Sequence, residues 1–393
     1  MTAQVAIMTS ACAVLAADSA VTISGPAGQK VYTGVEKIHP LSDNEPTAAL
    51  VYGLATLIDV PWGTLLSEYR HKFGGDAHED IVKQAEHLLS FLDARLAERI
   101  ATAGPELRRA RTAGLVTTLL HEAQDRFMQE SMEAESDEPV PAGVAEQLRE
   151  IVAIERRAWR ASERLPGLDA AAESALHRRH RRLIADVRRD VLSDVPVDAS
   201  TSRAIEDVAL LSLTRRTPND VGSPTAGGLV LVSFPDGAFW PRYVEFTFDG
   251  VGIPGLRYWE IATGGCHGPR NALVKAFAQA DGVSTMMNGV HPALLASFYD
   301  RLESVGLDAD KIDEALGDAR RRWLEQRTLP ILDTLDVMPP PDLCEIAESL
   351  VSITALWQRM RGTLETVGGT ISVAVLAPGG PLRWAKRPNL SAS

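Results

Sequence analysis

The sequence predicts an α/β (α+β) protein in which two groups of short buried strands flank a long helical block. Three observations lead there. Apolar runs of strand length cluster before residue 53. From about His78 to Arg216 the chain turns to Ala, Leu, Glu and Arg at helical spacing, with few β-branched runs. Strand-like runs then return from Gly228 onward. Strands in an early and a late set, each followed by helices, fit a layered sandwich better than a singly wound sheet.

Taken in order, Gln4 to Met8 and Ala13 to Ala17 read as two adjacent buried strands joined by the tight turn Thr9-Ser10-Ala11-Cys12. Ser24 to Gly28 is a turn, and Lys30 to Leu41 and Ala48 to Tyr52 read as further strands. Pro61-Trp62 opens a helix with Leu65, Leu66 and Tyr69 on one face. Helix ends are expected near Gly104-Pro105, Glu138 to Pro141, Pro166-Gly167 and Val195-Pro196. Strands are predicted again over Gly228 to Phe234, Tyr243 to Phe248 and Arg257 to Ile261, then helices from Arg270 to Gln326. A helix from Asp342 to about Met360 and two closing strands, Ile371 to Ala377 and Leu382 to Lys386, complete the chain. The implied organisation is three segments: 1–70, a helical insertion at 71–225, and 226–393.

Charge and cysteine content exclude several function classes. A net charge of −12 lacks the basic footprint that nucleic-acid phosphates require. The run of arginines between Arg178 and Arg189 reads as a solvated helix face paired with neighbours such as Asp186 and Asp190. Cys12, Cys266 and Cys344 are too scattered for a disulfide framework or a zinc cluster, which points to a reducing cytoplasm. Val5 to Ala17 is too short to span a bilayer, and no Lys or Arg precedes Lys30 to form the basic start of a signal peptide. No membrane association is expected. The histidines show no metal-ligand spacing, and Gly264 to Gly268 lacks the Gly-Lys-Ser/Thr ending of a phosphate loop, so neither metal nor organic cofactor is expected. Cys266 beside His267 suggests a thiol–imidazole pair, although adjacent side chains often point apart, and a structural role is the better reading.

Four features carry a resemblance. Ala13 to Ser19 is a hydrophobic strand ending in Ala-Asp-Ser, and Thr2 lies sixteen positions before its Asp18. Gly34 to Ile38 contains Lys37, and Val51-Tyr52-Gly53 ends a strand in glycine. In that order and spacing they resemble the bacterial proteasome-like N-terminal-nucleophile hydrolases, relatives of proteasome β-subunits and of the Anbu group. Gly228 to Gly265 and Asp342 to Gly369 add weaker matches, for about half of the chain in all. The resemblance implies a four-layer αββα sandwich with a large helical insertion. It also implies a threonine peptidase acting on peptides or proteins as a homo-oligomer, with no ATPase motif of its own to indicate an unfoldase.

By the same resemblance Thr2 is the nucleophile once Met1 is removed, Asp18 and Lys37 tune it, and Gly53 supplies the oxyanion donor. A threonine hydroxyl needs a proton acceptor, and a free α-amine with a pKa of about 7.7–8.0 supplies one from the same residue. Val35, Val51 and Ala55 would line the substrate pocket, and their lack of charge predicts a modest preference for apolar side chains. The family's supporting serine in the late glycine loop has no counterpart in Ala262 to Cys266, nor do its Asp and Ser near the end of the long helix match Leu364 to Gly369, which leaves Thr263, Glu365 and Thr366 as substitutes. Read singly, Thr2 is an ordinary terminal residue, Asp18 a turn residue and Lys37 a strand-edge lysine with Lys30 as its competitor. The alternative to an enzyme is a catalytically silent scaffold of the same fold that binds a partner.

Overall fold

The computed structural model describes residues 2–25, 28–78, 80–134, 140–218, 226–235, 237–267, 272–360 and 367–387. The architecture is mixed α+β, and the chain divides into two units: Met1–Phe91 with Gly227–Phe246 and Glu260–Ser393, and Leu92–Ala226 with Thr247–Trp259.

The first unit is built on β1 (Ala3–Met8) and β2 (Ala13–Ala17), every residue of which is buried. They pair antiparallel with Gln4 opposite Ala17 and Met8 opposite Ala13. β12 (Leu273–Ala278) adds to the outer side of β1, and β13 (Ser372–Leu376) and β14 (Arg383–Lys386) extend the sheet beyond β2. A second five-stranded sheet has the order β11-β10-β9-β6-β5, with β5 at Ile38–Pro40, β6 at Thr47–Tyr52, β9 at Gly227–Ser233, β10 at Arg242–Val251 and β11 at Leu256–Gly265. Two-residue periodicity decides what each face touches. Ala6, Met8, Ala13 and Leu15 join Leu50, Val230 and Val232 in one core between the two sheets. Val5, Ile7, Val14 and Ala16 face the other way, onto Leu343, Ala347, Leu350 and Val351 of α10 (Pro340–Met360). The short strands β7 (Thr56–Leu57) and β8 (Val60–Pro61) lead into α1 (Trp62–Phe73), which buries Trp62, Leu65, Leu66 and Tyr69. In the chain, α6 (Asp281–Asn288), α7 (Pro292–Ser304), α8 (Ala309–Trp323) and α9 (Leu329–Asp336) lie between β12 and α10.

The second unit is helical. α2 (Ile81–Ala134) starts in the first unit and continues here, followed by α3 (Val140–Ala161), α4 (Ala170–Val191) and α5 (Ala199–Thr214). Phe127, Leu148, Ile151, Trp159, Val208 and Leu211 share its core. Arg257, fully buried, joins β11 to the end of α5: its Nε donates to the Ser212 carbonyl at 3.0 Å and its guanidinium pairs with Asp249. Two arginines of the stripe are paired, Arg189 with Asp186 at 3.2 Å and Arg188 with Glu206 at 3.1 Å, whereas Asp190 meets Arg109 of α2 at 2.6 Å rather than an arginine of the stripe.

The structure corrects four expected elements. Lys30 to Leu41 is not one strand: β4 (Gly28–Tyr32) pairs with β3 (Val21–Gly25), itself unexpected, and β5 begins only at Ile38. Between them the Ser19 carbonyl accepts from both Gly34 N and Val35 N at 3.1 Å, which draws residues 33–37 toward the end of β2. No helix ends at Gly104-Pro105, because α2 runs through Pro105. An interior proline costs ~3 kcal/mol, but the buried stripe of Leu92, Leu96 and Ile100 resumes with Val116, Leu119 and Ala123 and outweighs it. Leu273–Ala278 is a strand rather than helix, with Val274 and Ala276 packed to one side and Leu273 and Phe277 to the other. α10 starts two residues before Asp342, since prolines suit the first turn of a helix, where no N–H is needed.

Candidate active site

The β1–β2 hairpin places Thr2 beside Asp18. Its ladder closes with Asp18 N donating to the Ala3 carbonyl at 3.1 Å, and Ala3 N returns a bond to Asp18 Oδ1 at 3.0 Å. The loop before β5 carries Lys37 into the same place, held by Val51 N donating to the Lys37 carbonyl at 3.1 Å. Lys37 Nζ donates to Thr2 Oγ1 at 3.0 Å and to Asp18 Oδ1 at 2.7 Å. The other Asp18 oxygen accepts from Ala20 N at 3.2 Å and Gly368 N at 3.0 Å. Thr2, Asp18 and Lys37 are all at most 5% exposed.

Burial decides the electrostatics. It pulls the Lys37 pKa below the ordinary lysine value, against the charge and hydrogen bond of Asp18, which favour the ammonium. The result is a cation that gives up its proton more readily than a surface lysine, fixed at hydrogen-bond distance from a hydroxyl.

Thr2 opens onto a cleft of about 560 Å³ lined also by Val35, Val51, Gly53 and Ala55. Gly53 has φ of 77°, a conformation that glycine adopts without strain, and it lies exposed at the end of β6. The expectation of an uncharged lining needs correction, because Glu36, Arg70 and Arg387 line the cleft too. Their charges are paired nearby: Arg387 Nε donates to Glu36 Oε1 at 2.9 Å, and Arg70 meets Asp43 at 2.8 Å.

The supporting residues fare differently. Thr263 is exposed on β11, at the opposite edge of the second sheet from β6 and β5, and donates to Glu260 at 2.8 Å rather than to a residue of the site. Glu365 and Thr366 lie outside the described residues. Lys30 sits on β4 with its Nζ 5.0 Å from the centroid of the Tyr32 ring, and Lys37 alone of the two contacts Thr2. One contact that sequence reasoning missed is Gln279 N, which donates to the Thr2 carbonyl at 3.1 Å. It follows β12, whose last residue Ala278 has φ of 61°, and reading that stretch as helix hid it. Cys266 is buried, its Sγ facing the Met8 carbonyl at 3.3 Å. Burial first, and then the charge of Asp336, push its thiol up to about 12, which makes a poor nucleophile.

Among the described residues no group of three or more His, Cys, Asp or Glu is placed to hold a metal ion, and no helix is long and apolar enough to cross a membrane. No family model matches the sequence, and no curated protein does. Among solved structures there is a similarity to the Anbu (Gly-1) mutant from Hyphomicrobium sp. strain MC1, at 9% identity over 99% of this chain and 89% of that one, with a TM-score of 0.29. A superposition that loose establishes neither fold nor function for this chain.

Proposed function

We propose that the protein is an N-terminal threonine amide hydrolase acting on peptides or proteins, with a four-layer αββα sandwich and Thr2 as its nucleophile. The observation that carries this reading is the bridge of Lys37 Nζ between Thr2 Oγ1 and Asp18 Oδ1, buried yet opening onto a cleft. Removal of Met1 would free the Thr2 amine to take the hydroxyl proton, since that amine titrates near neutral pH. The hydroxyl oxygen attacks the amide carbon and forms an ester with Thr2, while the proton passes to the leaving amine. Water then hydrolyses the ester by the same steps in reverse. Lys37 lowers the cost of the developing alkoxide, and Asp18, accepting from four donors, fixes Lys37 in place. The Gly53 N–H would meet the oxyanion. The charges around the cleft being paired, cleavage should favour apolar side chains modestly.

Enclosure within a homo-oligomer gives such a nucleophile a physical means of sparing folded proteins, and light scattering on the purified chain measures it. The test of function is twofold. Intact mass should show Met1 gone, and Thr2→Ala should abolish hydrolysis of a panel of fluorogenic peptide amides while the fold persists. A protein that keeps Met1 and hydrolyses nothing would favour the scaffold reading instead.

A further inference from the structure

Tyr52 ends β6 immediately before Gly53, and its side chain does something no other residue of that strand does. Its hydroxyl donates to Glu245 Oε1 at 2.7 Å, on β10. β9 lies between β6 and β10, so the ring must cross an intervening strand. It crosses where β9 has no side chain: Gly228 is paired opposite Tyr52, and a Cβ there would lie 1.9 Å from the ring. Glu245 is 6% exposed, with Lys275 Nζ 3.9 Å away. The backbone around Tyr52 is pinned from other sides as well. Gln4 Nε2 donates to the Val51 carbonyl at 2.7 Å, and Val51 N is bonded to the Lys37 carbonyl.

The peptide plane that presents the Gly53 N–H belongs half to Tyr52, so whatever fixes Tyr52 aims that N–H. We propose that Tyr52 and Glu245 are positioning residues that hold the Tyr52–Gly53 peptide plane toward the Thr2 cleft, with Gly228 as the gap through which they meet. This rests on the reading of Gly53 as oxyanion donor. A buried carboxylate is an expensive way to hold a sheet together, since an apolar pair of similar volume does so without the desolvation cost. Its use here makes sense where direction matters. Burial raises the Tyr52 pKa, so the phenol remains a donor, and raises that of Glu245 against the opposing influences of Tyr52 and Lys275.

The test uses Tyr52→Phe, Glu245→Gln and the double variant Tyr52→Phe/Glu245→Met, which removes both polar partners together. Each is assayed on a fluorogenic peptide amide, and hydrogen exchange is followed over residues 50–60. Expected are a fall in kcat of about tenfold to a hundredfold in the single Phe and the double variant, with KM within threefold and the double variant melting close to wild type. Exchange over 53–56 should quicken in both. Glu245→Gln, which keeps an acceptor for the phenol, should recover most of the rate. Unchanged kcat, or a loss confined to KM, overturns the proposal, as does unaltered exchange in every variant whether or not the protein turns over substrate. Quickened exchange in a protein without Thr2-dependent turnover keeps the brace and removes the catalytic reading of the site.

Discussion

A lysine held between a hydroxyl and a carboxylate can be either a spectator or a tuner of the hydroxyl, and the two roles respond differently to substitution. Should Lys37 only fill space, Lys37→Met would keep activity. Should it stabilise the alkoxide, Lys37→Met and Lys37→Ala should each lower kcat/KM by at least ~100-fold, and should slow the capture of Thr2 by covalent inhibitors as well. Near-normal rates in Lys37→Met would remove Lys37 from the mechanism. The pair of Thr2 and Asp18 was legible in the sequence for a physical reason: two strands in antiparallel register close at Ala3 and Asp18, so the spacing follows from the hairpin's length. Lys37 was harder, because its loop owes its path to the Ser19 carbonyl, a contact no spacing records. Thr263 failed as a candidate because composition does not record strand order: β11 is the far edge of the sheet whose other edge, β6 and β5, borders the site.

Element-scale stability turns on which of two opposed effects wins. In an exposed helix interior, Gly→Ala gains up to ~1 kcal/mol. Gly114 in α2 has nothing within 4 Å of where an added methyl would sit, so Gly114→Ala should gain that amount. Gly143 in α3 would bring such a methyl to 2.0 Å from Phe127 Cε2, and that ring is buried, so Gly143→Ala should lose about 1–3 kcal/mol despite the same propensity gain. Urea midpoints of the two variants should therefore move in opposite directions. The helical unit also has a pH-sensitive tie. Burial works to raise the Glu173 pKa, but Arg215 at 2.7 Å and Arg164 at 2.8 Å overrule it and hold the carboxyl down at about 2. A carboxylate with a depressed folded pKa stabilises fully above its ordinary value of 4.5 and loses that contribution as pH falls toward about 2. Glu173→Gln should cost roughly 1.5–3 kcal/mol at pH 7, and the gap to wild type should close over that acidic window in thermal melts. Helices and their ends were mostly legible from periodicity and breakers. Pro105 and β12 were not: in the first a long buried stripe outweighs a local breaker, and in the second a strand forms because β1 offers an edge.

Across the whole molecule, we propose that the helical unit is an insertion into a sandwich that can fold without it, and its removal makes a demanding test. The unit comprises Leu92–Ala226 together with Thr247–Trp259, so a single excision of 92–226 would leave part of it behind. In that remnant Phe248, Val251, Ile253, Leu256 and Trp259 are all buried, along with the ion pair of Asp249 and Arg257. Each large side chain laid bare forfeits about 1.5–3 kcal/mol, and together they would make an exposed apolar patch. Excision of 92–226 with a Gly/Ser linker alone should therefore yield aggregated protein. Excision combined with replacement of 247–259 by a short turn should yield soluble protein in which Thr2 still reacts with a threonine-directed covalent inhibitor, read by mass. The first unit keeps what that outcome needs, because Thr2, Asp18, Lys37, Gly53, Tyr52, Gly228 and Glu245 all belong to it. Were the doubly trimmed chain unable to fold while point variants of the helical unit fold normally, the helices would be part of the sandwich's own folding unit and the insertion reading would fall.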